Sequence, residues 1–140
     1  PTLQATDFEG NVVTIGADGR PKAIYFLAHW CPHCQDEVPV IQQLIDDGAK
    51  PDALDVYAVS TAVDAGRGNY PPQSWLDGEG FEPVVVRDDD TAAAFAGFGG
   101  SAFPYVVYLD GDHRVVARAA GNVGAEATTE LWELTAATVG

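Results

Sequence analysis

The only two cysteines of this 140-residue chain stand two residues apart, in Leu27-Ala28-His29-Trp30-Cys31-Pro32-His33-Cys34, and their neighbours restrict what can be built around them. Ahead of them, Ala23-Ile24-Tyr25-Phe26-Leu27-Ala28 is a short apolar run of the kind that forms a buried strand. Behind them, Gln35 to Ile45 carries apolar residues at helical spacing, interrupted at Pro39. The pair therefore falls where a strand gives way to a helix. Pro32 suits the first helical turn, where a missing N–H costs nothing. A helix N-terminus offers unpaired N–H groups and partial positive charge, which favour a thiolate over a thiol. The thiolate is the form that attacks a disulfide.

Two simpler explanations of the pair fit less well. A closed zinc site needs four ligands, and beyond His29 and His33 the only remaining histidine is His113, far away in an Asp-Gly-Asp-His turn. A purely structural disulfide across so short a loop would constrain the unfolded chain very little. A redox pair is the better reading.

At 140 residues one domain, spanning 1–140, is expected, long enough to bury a core without cross-links. A formal charge of -14 argues against a nucleic-acid partner, because phosphate binding needs clustered Lys and Arg. An acidic surface keeps a protein soluble and monomeric or steers it toward basic partners, and the first is the expectation here. No apolar run is long enough to span a bilayer. The sequence opens at Pro1 and contains no methionine, so it is expected to derive from a longer precursor, with room for a secretion signal or membrane anchor ahead of it.

Along the chain, strand and helix patterns alternate. Phe8 to Ile15 reads as a hairpin with a Gly-Asn turn. The cysteine helix runs to about Asp47, with Gly48 closing it. Leu54 to Ser60 is a second buried strand, and a loop from Asp64 to Tyr70 leads to a short helix beginning at Pro71 or Pro72. Val84 to Val86 is a short strand. Asp90-Thr91 is expected to cap a helix over Ala92 to Phe98. Tyr105 to Leu109 and Val115 to Ala119 flank Asp110-Gly111 as a second hairpin. A closing helix spans Gly124 to Thr138, with Leu131, Trp132 and Leu134 as its apolar contacts.

The combination Trp30-Cys31-x-x-Cys34-x-x-Glu37-x-Pro39, the early hairpin, and Phe103-Pro104 before the late strand resembles the thioredoxin-fold superfamily. Within it, the chain is similar to the TlpA/ResA group of extracytoplasmic thiol–disulfide oxidoreductases. The resemblance implies an α/β fold of three layers: a central mixed sheet flanked by helices, an N-terminal hairpin, and an extra strand and helix inserted before a cis-proline. It implies catalysis by Cys31 and Cys34, with Cys31 the exposed nucleophile and Cys34 the buried resolving thiol. Trp30, Pro32, His33 and Pro39 would support the site, Pro39 as a kink in the helix. Pro104 would be the cis-proline, and the backbone of Phe103 would pair with an extended substrate. The partners implied are cysteine-containing proteins and a redox partner protein in the cell envelope or periplasm. No cofactor is implied beyond the Cys31–Cys34 disulfide, and no metal.

Glu37 lies three residues after Cys34, on the same helical face, where a partly buried carboxylate can take the Cys34 proton and a solvated one cannot. Plain thioredoxin keeps a buried acid on the preceding strand; this chain has Tyr25 there. His29 before the motif and Tyr105 after the proline depart from the group, and both are expected to alter the rim of the substrate groove. Pro32-His33 resembles the dipeptide of the oxidase DsbA, and His33 is expected to stabilise the Cys31 thiolate. Scaffold and dipeptide thus point to opposite redox directions. Two alternatives stand beside disulfide exchange. A thiol peroxidase shares the fold, but Leu27-Ala28-His29-Trp30 lacks the usual setting of a peroxidatic cysteine. A copper-binding module would use Cys31, Cys34 and a histidine.

Overall fold

A two-stranded antiparallel hairpin opens the chain, β1 (Leu3–Thr6) against β2 (Val12–Ile15). The computed structural model describes residues 2–138; Pro1, Val139 and Gly140 lie outside them, so the expected domain 1–140 is described over that span. The hairpin begins earlier than Phe8, and Gly10-Asn11 is not a two-residue turn. Asp7 is the reason: its carboxylate accepts the N–H groups of Glu9 and Asn11, each at 2.9 Å, and so organises a longer connection. Gly10 closes that connection at φ +88°.

The remaining elements follow in order: β3 (Lys22–Leu27), α1 (Pro32–Asp46), β4 (Asp55–Ser60), α2 (Pro72–Gly78), β5 (Val84–Arg87), α3 (Ala93–Gly97), β6 (Tyr105–Leu109), β7 (Val115–Ala120) and α4 (Gly124–Ala136). Five strands form one mixed sheet in the order β5-β4-β3-β6-β7. β3 runs parallel to β4 and antiparallel to β6, and β4 runs parallel to β5. The interval between α1 and Phe103 holds β4, α2, β5 and α3, with β5 at the sheet edge. This is the expected thioredoxin-like fold with its N-terminal hairpin.

Every residue of β3 is buried, as a strand covered on both faces must be. Alternation splits its side chains between two cores. Ala23, Tyr25 and Leu27 pack with Cys34, Val38 and Ile41 of α1 and Trp132 of α4. Ile24 and Phe26 pack with Ile15, Phe98, Tyr105 and Val107 on the other side. Trp132 is fully buried and donates its Nε1–H to Tyr25 Oη at 2.9 Å, joining α4 to the strand beneath the cysteines. Leu134, expected to share that contact, is 56% exposed, because it lies on the outer face of α4.

The cap of α3 also differs from expectation. Asp89 accepts the N–H of Ala93, and the Asp88 carboxylate accepts those of Ala94 and Phe95. Ala92 takes a left-handed conformation that starts the helix one residue late and leaves Asp90 out of the cap. No helix among the described residues is long and apolar enough to cross a membrane.

Candidate active site

Cys31 is the N-cap of α1 and Pro32 its first helical residue, so the sulfur sits where the helix has no earlier turn to cover it. The Cys31 carbonyl accepts the Gln35 N–H at 3.0 Å and its N–H reaches Ala28 O at 3.1 Å, which fixes the strand-to-helix corner. The expectation of an exposed Cys31 needs correction: only 7% of the residue is accessible. Phe103 closes over it, the Phe103 carbonyl lying 3.9 Å from Cys31 Sγ. Access to Cys31 is therefore restricted.

Cys34, one turn on, is fully buried and accepts the Ala28 N–H at 3.4 Å. Burial pushes its thiol well above the ordinary range, and the neighbouring Cys31 and Glu37 push in the same direction. A base is needed before Cys34 can act as a nucleophile near neutral pH.

Glu37, three residues further along the helix, is such a group, and its charge is felt at Cys34. It is 4% exposed, so it is not a solvated helix carboxylate. Burial raises it, and a hydrogen bond from Asn122 Nδ2 to Oε2 at 3.3 Å opposes that rise. The same amide donates to the His33 carbonyl at 2.8 Å. Glu37 shares a tight crevice with Tyr25, Pro104, Tyr108 and Thr128. The phenol of Tyr25 is pushed well up, chiefly by burial, and that of Tyr108 to about 12 for the same reason. Neither phenol gives up a proton near neutral pH, which leaves Glu37 as the group there that can exchange one.

The opposite wall is aromatic. The Phe103–Pro104 bond is cis. Phe103 meets Trp30 edge-on at 5.7 Å and stacks on Phe95 at 4.6 Å. Trp30 is held by its Nε1–H on Ala62 O at 2.8 Å, and the Arg67 guanidinium lies 3.8 Å above its ring.

Several sequence-predicted residues are placed otherwise than expected. Tyr105 does not line a groove rim; it is buried in the second core and donates to Phe98 O at 2.7 Å. His29 is 1% exposed and lies beneath the Asp64–Tyr70 loop, its Nδ1 2.7 Å from Gly68 O and its Nε2 accepting the Asp64 N–H at 3.0 Å. His33 is exposed, and its ring makes no hydrogen bond among the described residues. Pro39, by contrast, stands inside α1 as expected, exposed, with the helix continuing beyond it. Asn122 and Arg67 were not singled out from the sequence, because an Asn after a strand and an Arg in a Gly-rich loop carry no signal of the residues they reach.

Among the described residues no three His, Cys, Asp or Glu side chains gather as a metal-holding group. His29, the histidine nearest the motif on its strand side, has both ring nitrogens engaged by backbone.

A CxxC pair at a strand-to-helix corner, facing a cis X-Pro segment across a mixed sheet, defines a thioredoxin-fold oxidoreductase site. A family model described as Redoxin matches residues 1–133, and the chain belongs to the Redoxin family. Solved structures with the same fold include StoA from Bacillus subtilis, at 18% identity and TM-score 0.76, covering 94% of this chain and 96% of that one. A secreted Mycobacterium tuberculosis disulfide oxidoreductase, described as homologous to DsbE, matches at 22% identity and TM-score 0.74, covering 97% and 96%. An exposed lipoprotein thioredoxin from Streptococcus pneumoniae matches at 13% identity and TM-score 0.73, covering 96% and 99%. No curated protein matched the chain by sequence.

Proposed function

We propose that the protein exchanges disulfides with cysteine-containing proteins outside the cytoplasm, using Cys31 as nucleophile and Cys34 as resolving thiol. The carrying observation is the contrast between the two sulfurs: Cys31 opens on the Phe103 carbonyl, while Cys34 is sealed beneath it on the helix that also bears the buried Glu37. In the reducing direction, the Cys31 thiolate attacks a substrate disulfide, forming a mixed disulfide and expelling one substrate thiolate. Cys34 gives its proton to Glu37 and attacks Cys31 Sγ, breaking the mixed disulfide and expelling the second thiolate. The substrate gains two electrons and the Cys31–Cys34 pair loses them. The oxidising direction is the reverse of these steps, and the midpoint potential of the pair sets which one prevails.

The Phe103 backbone beside Cys31 is the edge on which an extended substrate segment would lie. Placement outside the cytoplasm is supported by the secreted mycobacterial structure and the exposed pneumococcal lipoprotein, which share the fold. The residues before Cys31 give the peroxidase alternative no support, and among the described residues no three ligands gather to support the copper alternative. The test is insulin-disulfide reduction driven by dithiothreitol, together with the midpoint potential of the Cys31–Cys34 pair. Activity lost in Cys31→Ser, and mixed disulfides trapped by Cys34→Ser, are the expected results. Peroxide consumption without disulfide exchange would overturn the proposal.

A further inference from the structure

We propose that Arg67 is a specificity-determining residue: a cation at the rim of the redox centre that selects substrates carrying a carboxylate close to the reacting cysteine. This rests on the disulfide-exchange reading above.

The Asp64–Tyr70 loop is exposed throughout, yet it is held from below at both ends. His29 Nε2 accepts the Asp64 N–H, so that nitrogen carries no proton, and Nδ1 donates to Gly68 O. Asn69 Nδ2 adds a bond to the His29 carbonyl at 3.3 Å. A buried histidine immediately before Trp30 and Cys31 thus sets the height of a loop more than thirty residues away. The consequence is the position of Arg67, whose guanidinium lies 3.8 Å above the Trp30 ring. Trp30 is itself braced by Ala62 O and Phe103, and the Phe103 carbonyl touches Cys31 Sγ.

Stacking uses the face of a guanidinium and leaves its in-plane N–H donors free. Among the described residues those donors make no hydrogen bond or ion pair. Four other cations are engaged, Arg20 with Asp55, Lys22 with Asp18, Lys50 with the Leu54 carbonyl and Arg87 with Thr6, while Arg114 and Arg118 belong to the β6–β7 hairpin and Arg67 is the one set on Trp30. A planar fork of free donors fits a carboxylate bidentately. With 21 acidic against seven basic residues, the surface at large repels acidic segments. Beside Trp30 and Cys31 the attraction for one comes from Arg67 and reaches within about 8 Å of the charge at physiological salt.

The experiment compares three disulfide-linked peptides that differ only in having Glu, Gln or Lys beside the cysteine. For the reduced wild-type protein at low salt, kcat/KM should favour Glu over Lys by up to about fivefold, the ratio an exposed ion pair supplies. The difference should lie in KM and shrink with added salt. Arg67→Gln should bring the Glu peptide down to the Gln peptide, and Arg67→Lys should restore part of the preference. His29→Ala, which frees the loop, should weaken the preference as Arg67→Gln does. Equal kcat/KM for the Glu and Lys peptides, or a preference that survives Arg67→Gln, overturns the inference while leaving disulfide exchange standing. Failure to turn over any of the three peptides or insulin overturns both.

Discussion

Asn122 Nδ2 lies 3.3 Å from Glu37 Oε2 and 2.8 Å from the His33 carbonyl oxygen, so one amide from the turn after β7 ties together the first turns of the redox helix. An amide nitrogen can only donate, which makes Oε2 an acceptor and leaves Oε1 to carry any proton Glu37 takes up. Asn122→Ala removes a bond that favours the carboxylate. The Glu37 carboxyl should then rise further, and the pH profile of mixed-disulfide resolution should move to higher pH. Stopped-flow resolution rates across pH check this, and a profile unmoved by the substitution would sink the assignment.

Glu37→Gln keeps the shape of the side chain and removes its ability to take a proton. Resolution by Cys34 should slow on the order of 100-fold, the usual effect of losing a positioned base. The first attack by Cys31 should be affected much less. Comparing mixed-disulfide formation with its decay separates the two steps.

The same carboxyl predicts how stability depends on pH. Burial raises Glu37 above its ordinary 4.5, so the folded chain holds that proton more tightly than the unfolded chain. The stabilising contribution of the protonated form is full below that ordinary value and is lost as pH rises through the raised one. Glu37→Gln cannot titrate, so its stability relative to wild type should climb across this interval. Urea unfolding of both proteins at several pH values reads the effect, and parallel curves would count against a buried Glu37.

The contrast between the sulfurs predicts the order of chemical modification. Iodoacetamide should label Cys31 of the reduced, folded protein first, since it keeps some accessible surface. Cys34, with no accessible surface, should react only as fast as the fold opens. Mass spectrometry after partial labelling gives the order, and early labelling of Cys34 would reverse the roles.

Trp132→Phe keeps an aromatic ring but deletes the donor to Tyr25 Oη, in a site with no accessible surface. Loss of that bond and of part of the ring volume should cost about 1–3 kcal/mol in urea unfolding. A change within error would mean that the link between α4 and β3 adds nothing to stability.

Much of the architecture is readable from local pattern. The cysteine corner, the buried β3 run and the apolar stripe of α1 each declare themselves within a dozen residues, because burial and helical spacing are local properties. What local pattern hides is a side chain whose partner is a distant backbone atom. His29 looks like a groove-rim substitution until its ring is found beneath Asp64 and Gly68. Tyr105 looks like a rim residue until strand alternation turns it toward Phe98. Asp88 and Asp89, rather than Asp90, cap α3 because Ala92 takes a left-handed turn that no propensity signals. Asn122 reaches Glu37 across 85 positions, a separation over which spacing says nothing.

The Trp132–Tyr25 link has a consequence for the order in which the chain becomes functional during synthesis. The strand and helix that present the two sulfurs are made early, but the cover over Tyr25 and the inner face of α1 comes from a segment that leaves the ribosome roughly a hundred residues later. Until Gly124–Ala136 emerges and docks, Tyr25 lacks its Trp132 partner and that core is incomplete. A nascent chain at this stage has its redox corner built but the core behind it unfinished. Emergence of the last helix is therefore the step that completes the core behind the two sulfurs.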